Sequence, residues 1–219
     1  MKRRMRIFAK RSLTILMFAI CAFGASFYFW TMSSDKAEAA TDTVTVTTTV
    51  QQYISFSITA GDPTAFGNLT PGTPIAAPAT GTVASVTTNS ANGYTLGLSD
   101  GIASTNSALL HTDATTYIAD YAGTIGTPTS WTGTGLGITL YAADTTPDAK
   151  WCATTCTTYN DADNKYAGIP ENATTAHTVT GFHADADTSS WAFKIDVSNS
   201  QKTGAYSGTV TFTATAVLT

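Results

Sequence analysis

From residue 44 the chain alternates. Val44, Val46, Val50, Ile54, Phe56 and Ile58 all take even positions, and Thr43, Thr45, Thr47 and Thr49 take odd ones. Successive side chains of an extended strand point to opposite faces. The apolar residues therefore share one face, and the threonines the other, of a strand or strand pair. The same period returns in residues 82–88, in Tyr94, Leu96 and Leu98, in residues 136–142, and in Trp191, Phe193, Ile195 and Val197. It is longest in residues 205–218, where Val210, Phe212, Ala214, Ala216 and Leu218 fall on one face. No segment after residue 40 keeps a 3.6-residue apolar period. Short alternating strands between turn signals predict an all-β fold, an immunoglobulin-like or Greek-key β-sandwich, with a closed barrel as the alternative. No repeat of fixed period points to a solenoid or propeller.

Turn chemistry punctuates these runs. Residues 61–81 carry Pro63, Pro71, Pro74 and Pro78 with four glycines, which predicts loop or edge structure and no central strand. Asn92-Gly93 is a hairpin signal that would pair residues 82–88 with the strand at Tyr94. Residues 100–135 are rich in Gly, Ser, Thr and Asp and read as loops and short strands, and 143–175 as a loop-rich insertion.

The N-terminus has a different character. Lys2, Arg3, Arg4, Arg6, Lys10 and Arg11 precede an uncharged apolar run, residues 13–30. That order is the n-region and h-region of an export signal, and the basic cluster stays on the cytoplasmic side. Ala37-Glu38-Ala39 fits a small-x-small cleavage site. The 18-residue apolar run and the aromatic cluster Phe27, Tyr28, Phe29 and Trp30 fit a retained transmembrane anchor instead. The domain plan is therefore a signal or N-terminal membrane helix with linker over residues 1–39, and a single β-sandwich over 40–219. The expected location is extracellular or at the cell surface, membrane-anchored if the leader stays. Contact with membrane is expected only through that helix.

After residue 39 only Lys150, Lys165, Lys194 and Lys202 remain against thirteen acids, which leaves a net charge of −9. Such a surface repels nucleic acid, and no basic patch offsets it. Threonine makes up about a fifth of the chain and suits the watered face of a sheet. Cys152 and Cys156 are the only cysteines after the leader, and an isolated pair in an exported protein reads as a disulfide.

One order of motifs resembles a known class. Val44-Thr-Val-Thr-Thr-Thr-Val50 and Tyr53-Ile-Ser-Phe-Ser-Ile58 lead to Phe66-Gly67-Asn68-Leu69-Thr70-Pro71-Gly72, then to Ala91-Asn92-Gly93-Tyr94-Thr-Leu96. The chain closes with Gly204-Ala-Tyr206-Ser-Gly208-Thr-Val210-Thr-Phe212-Thr-Ala-Thr215. Over about half of the exported part this is similar to Thr-rich bacterial cell-surface β-sandwich proteins, loosely the WxL-type wall-binding, spore-coat and pilin-like domains. The resemblance implies a sandwich fold and a surface role. The Trp-x-Leu pair of wall-binding domains is absent, so peptidoglycan binding is not carried over.

Candidate chemistry is sparse. No Gly-x-Ser-x-Gly elbow occurs, and His111, His177 and His183 are the only histidines. His177 and His183 with Asp185 and Asp187 have donors for a metal, against the plainer reading of a polar loop. Asp161 and Asp163, with Glu171 downstream, offer hard oxygen ligands for Ca²⁺, the one cofactor considered; Lys165 and a missing glycine break the EF-hand pattern. Trp131, Tyr141, Trp151 and Tyr159 form either a platform for stacking sugars or core filling in a chain poor in Leu and Ile. Gly133-Thr-Gly135-Leu-Gly137 reads as turn chemistry. Lys194 alternates with Phe193 and Ile195, so it should face outward, where a buried isopeptide crosslink is not expected.

The expected function is an exported, non-enzymatic structural or adhesive protein that meets cell-surface components or itself. The strands at either end of the domain could pair edge to edge. An extracellular carbohydrate-binding module is the alternative, with glycans as partners.

Overall fold

The computed structural model describes residues 40–103, 105–145 and 147–218. The leader expected in residues 1–39 lies outside them. Two units are present, Met1–Thr49 and Val50–Thr219. Of the first, residues 40–49 are described, exposed and without strand structure, so the alternation that begins at Val44 becomes a strand only from Ile54.

The second unit is all-β, with no α-helix among the described residues. Its strands are β1 (Ile54–Ala60), β2 (Ile75–Thr88), β3 (Tyr94–Ser99), β4 (Leu110–His111), β5 (Thr129–Ser130), β6 (Gly135–Ala143), β7 (Lys165–Tyr166), β8 (Thr174–Val179), β9 (His183–Asp196), β10 (Tyr206–Ser207) and β11 (Thr211–Ala216). One 3₁₀ turn, Ala149–Trp151, precedes β7. Two open antiparallel sheets dominate, ordered β1-β2-β9-β6 and β11-β3-β8. Their inner faces meet in a single core that includes Val86, Leu96, Leu98, Ile138, Leu140, Trp191 and Ile195. The open sheets match the sandwich and not the closed barrel.

Three local expectations are corrected and one holds. Residues 75–81, expected as loop or edge, are the first half of β2; Ile75, Ala76 and Ala77 pair with β9 alone, and β1 joins only from Val83. A bulge makes this possible: Ala77 faces Phe193 and Thr82 faces Trp191, so Pro78 sits where the ladder is already interrupted. Asn92-Gly93 is no hairpin. β2 pairs with β1 and β9, whereas β3 pairs with β11 and β8, so the turn carries the chain from one sheet to the other. Gly93 has φ 82°, and a Cβ there would lie 2.0 Å from the Val179 carbonyl oxygen. Residues expected as a polar loop around His177 and His183 belong largely to β8 and β9. The last strand is interrupted between β10 and β11, where a Cβ on Gly208 would meet the Ala108 carbonyl oxygen.

Two loop-rich stretches, around residues 121–131 and around Tyr166, form a second layer over the outer face of β6 and β9. Tyr121 stacks on Trp131 (centroids 4.4 Å apart, planes at 10°), and Trp131 meets Tyr166 edge-on at 5.4 Å. Gly137 of β6 leaves space for this layer, since a Cβ would press on the Trp131 ring at 3.1 Å. Lys194 does point away from the core face, but beneath this layer. Its ammonium lies 5.5 Å from the Trp131 ring centre and 5.1 Å from that of Tyr166, and burial lowers its pKa.

Candidate functional site

The sandwich has two lateral margins, and they are built differently. At one, β6 and β8 are the edge strands. The backbone of β6 is covered: Ile138 and Ala167 exchange N–H···O bonds of 2.8 and 3.0 Å, and Leu136 exchanges similar bonds with Ala119 and Tyr121. Beside β8, Trp151 is fully buried and its Nε1 donates to the Ala176 carbonyl at 3.0 Å. Trp151 meets Trp191 edge-on at 5.8 Å, and Trp191 in turn meets Phe212 of β11 edge-on at 5.7 Å. This aromatic row crosses the core from the covered margin to the opposite one.

At the opposite margin the edge strands are β1 and β11. Among the described residues neither has a second strand partner. Their inward residues, Ile54, Phe56 and Ile58 on one and Phe212, Ala214 and Ala216 on the other, remain only half-buried. One end is tied, because Gln52 Nε2 donates to the Val217 carbonyl at 3.1 Å. Toward Ile58 and Phe212 a cavity of about 260 Å³ opens, walled by Phe66, Val210 and Phe193 and also by Asp62, Thr64 and Thr209. Neither strand contains a charge or a proline, the usual devices that keep an edge from pairing.

A polar cluster lies elsewhere in the core. Tyr94 of β3 donates to Asp187 Oδ2 of β9 at 3.0 Å, a bond between the sheets. Burial, then the Asp187 charge, push the phenol pKa far up. His177 Nε2 lies 3.5 Å from Thr145 Oγ1, and its Nδ1 3.9 Å from Asp148. Burial holds this imidazole below its ordinary pKa, with Asp148 acting in the opposite sense. His183 contacts the Thr180 carbonyl instead, and Asp185 is exposed.

The remaining residues singled out in the sequence do not converge. Trp151 is core, Tyr141 is buried with its hydroxyl toward the Thr80 carbonyl, Tyr159 is part-buried, and Trp131 packs between Tyr121 and Tyr166. No ring pair joins any two of these four residues among the described contacts. Asp163 accepts from Thr154 and Thr155, Asp161 accepts from the Asp163 backbone, and Glu171 is exposed. Among the described residues no three His, Cys, Asp or Glu side chains are grouped to hold a metal. Cys152 and Cys156 are disulfide-bonded, with Cα atoms 5.9 Å apart, beside Trp151. The open β1/β11 margin was foreseen only as two strands able to pair; the cavity between them has no local sequence signal.

No protein-family model matches this chain, and no curated protein is similar enough to count as a relative.

Proposed function

We propose that this chain is an exported, non-enzymatic structural or adhesive protein of the cell surface, built as an immunoglobulin-like Greek-key sandwich that assembles through an edge strand. The observation that carries this reading is the unequal treatment of the two margins. One is closed by backbone pairing and Trp151, while the other leaves β1 and β11 free, with half-buried apolar residues beside a cavity walled by both polar and apolar side chains. An uncharged edge with half-buried apolar residues favours pairing with another strand. Export rests on the basic and apolar leader, and the acidic remainder suits a surface that avoids nucleic acid. The crossing of the chain between sheets after β2 supports the Greek-key assignment. Trp151 lies too deep to stack on a sugar, so a glycan platform would have to use other rings.

Light scattering of the purified protein over a concentration series tests the reading. Mass that rises with concentration is the expected result. A monomer at every concentration would remove its basis.

A further inference from the structure

We infer that the strand received by the open margin is residues 43–50 of a second copy of this chain, added along the free edge of β11. This rests on the assembly reading above and names its partner. The segment Thr-Val-Thr-Val-Thr-Thr-Thr-Val has the alternation of a strand, yet among the described residues it belongs to none. Val44, Val46 and Val50 are 87%, 87% and 80% exposed. Three apolar side chains on one face of an uncharged segment are what the half-buried Phe212, Ala214 and Ala216 of the β11 edge lack as a cover.

The two patterns match. β11 reads Thr-Phe-Thr-Ala-Thr-Ala, with threonines outward and Phe212, Ala214 and Ala216 inward. A donor with this alternation extends both faces in phase, Thr48 being the one threonine on its valine face. Its valines continue the apolar face over the cavity, and its threonines continue the row Thr211, Thr213 and Thr215. Eight extended residues span about 26 Å and the six of β11 about 20 Å, so the donor covers the whole edge.

Donation from another copy is favoured over folding back by the residues that follow the segment. Tyr53 N–H donates to Asn89 Oδ1 at 2.6 Å, Asn89 Nδ2 donates to the Gln51 carbonyl at 2.8 Å, and Gln52 holds Val217. A segment laid on the domain's own β11 would have to reverse direction in these pinned residues before β1 begins. A heterologous contact of this kind is head-to-tail, so it propagates into chains of copies unless a ring closes.

The experiment uses full chains in two variants. V44D/V46D disables the donor; V210D places a carboxylate at the cavity wall and disables the acceptor. Each should raise the concentration at which assembly begins, V44D/V46D by more than about a hundredfold, the lower bound for losing two buried valines. An equal mixture of the two should form dimers that grow no further, since only one donor and one acceptor remain. The unfolding midpoint of V44D/V46D should equal that of the wild type. If V210D lowers its own midpoint, T213K replaces it as the acceptor block, because that side chain already faces water. Assembly of V44D/V46D at the wild-type concentration would overturn the donor assignment and leave the assembly reading intact. A mixture that stays monomeric would also overturn it. A wild type that never assembles would overturn both.

Discussion

Raising the pH from 5 to 8 should weaken this fold through one carboxyl. Asp120 Oδ1 accepts the Ile169 N–H at 3.2 Å, but burial outweighs that bond and pushes its pKa up to about 7, with repulsion from Asp100 adding to the shift. The ordinary value is 3.8. The folded state therefore keeps a proton that the unfolded chain releases. The resulting stabilisation is complete below about pH 4 and is lost as pH rises through about 7. Linkage between these two values gives a loss of about 2.5 kcal/mol from pH 5 to pH 8. Water reaches part of this carboxyl, and discounting for screening leaves about 1–2 kcal/mol. Asp100, also raised by burial, acts in the same direction. His177 acts in the opposite one: its pKa is lowered from 6.5, so it adds stability as pH rises through that value. The substitution D120N separates these contributions, because an asparagine keeps the oxygen that accepts from Ile169 and does not titrate. Urea unfolding followed by tryptophan fluorescence at pH 5, 6, 7 and 8 gives the difference between variant and wild type. That difference should move in favour of D120N by about 1–2 kcal/mol across the series. A difference independent of pH would refute the burial argument. A shift in favour of wild type would show that the fold stabilises the charged carboxylate.

Three further outcomes follow from the packing. Trp151→Ala should cost about 3–5 kcal/mol in urea unfolding, as expected for a fully buried indole that also donates to Ala176. A variant unfolding with the wild type would place Trp151 outside the core. Gly93→Ala should cost more than about 1 kcal/mol, since its positive φ and the Val179 carbonyl both oppose a Cβ; unchanged stability would mean that the crossing turn relaxes freely. Reducing Cys152–Cys156 should cost about 2 kcal/mol by loop-closure entropy, measured as a shift in unfolding midpoint with and without reductant. A loss above about 5 kcal/mol would show that the bridge holds far more than its own short loop.

The strands were legible where alternation is strong and local. Tyr94, Leu96 and Leu98 became β3, and Trp191, Phe193 and Ile195 fill the inner face of β9. Partnership was not legible, because a turn signal gives a local conformation and says nothing about which sheet receives the next strand. Asn92-Gly93 makes its turn, but hydrogen bonds from Ser90 Oγ and Asn92 Nδ2 to Val217 and Leu218 draw it toward the end of the chain. The start of β2 was hidden by Pro78, whose incompatibility with a ladder is real and is accommodated by a bulge. Lys194 was expected to face outward, and alternation gave that direction correctly. Its burial under Trp131 and Tyr166 depends on a layer some 30 to 60 residues away, which no window of sequence contains.

The aromatic rings connect these points to the open margin. A sandwich of this size with few Leu and Ile needs large side chains to fill its core, and one row, Trp151, Trp191 and Phe212, crosses it. At its covered end, Trp151 comes from the insertion and binds the backbone of β8, so that margin is completed by the chain itself. At the other end, Phe212 lies on an edge strand and stays half-buried. Burying it further requires atoms from beyond β11. The described part of the domain supplies no such element, while residues 43–50 hold three exposed valines at strand spacing. Adding the segment of a neighbouring copy would cover both apolar surfaces in one step. The hydrophobic gain would then come from the association itself, since both surfaces are exposed or half-buried among the described residues.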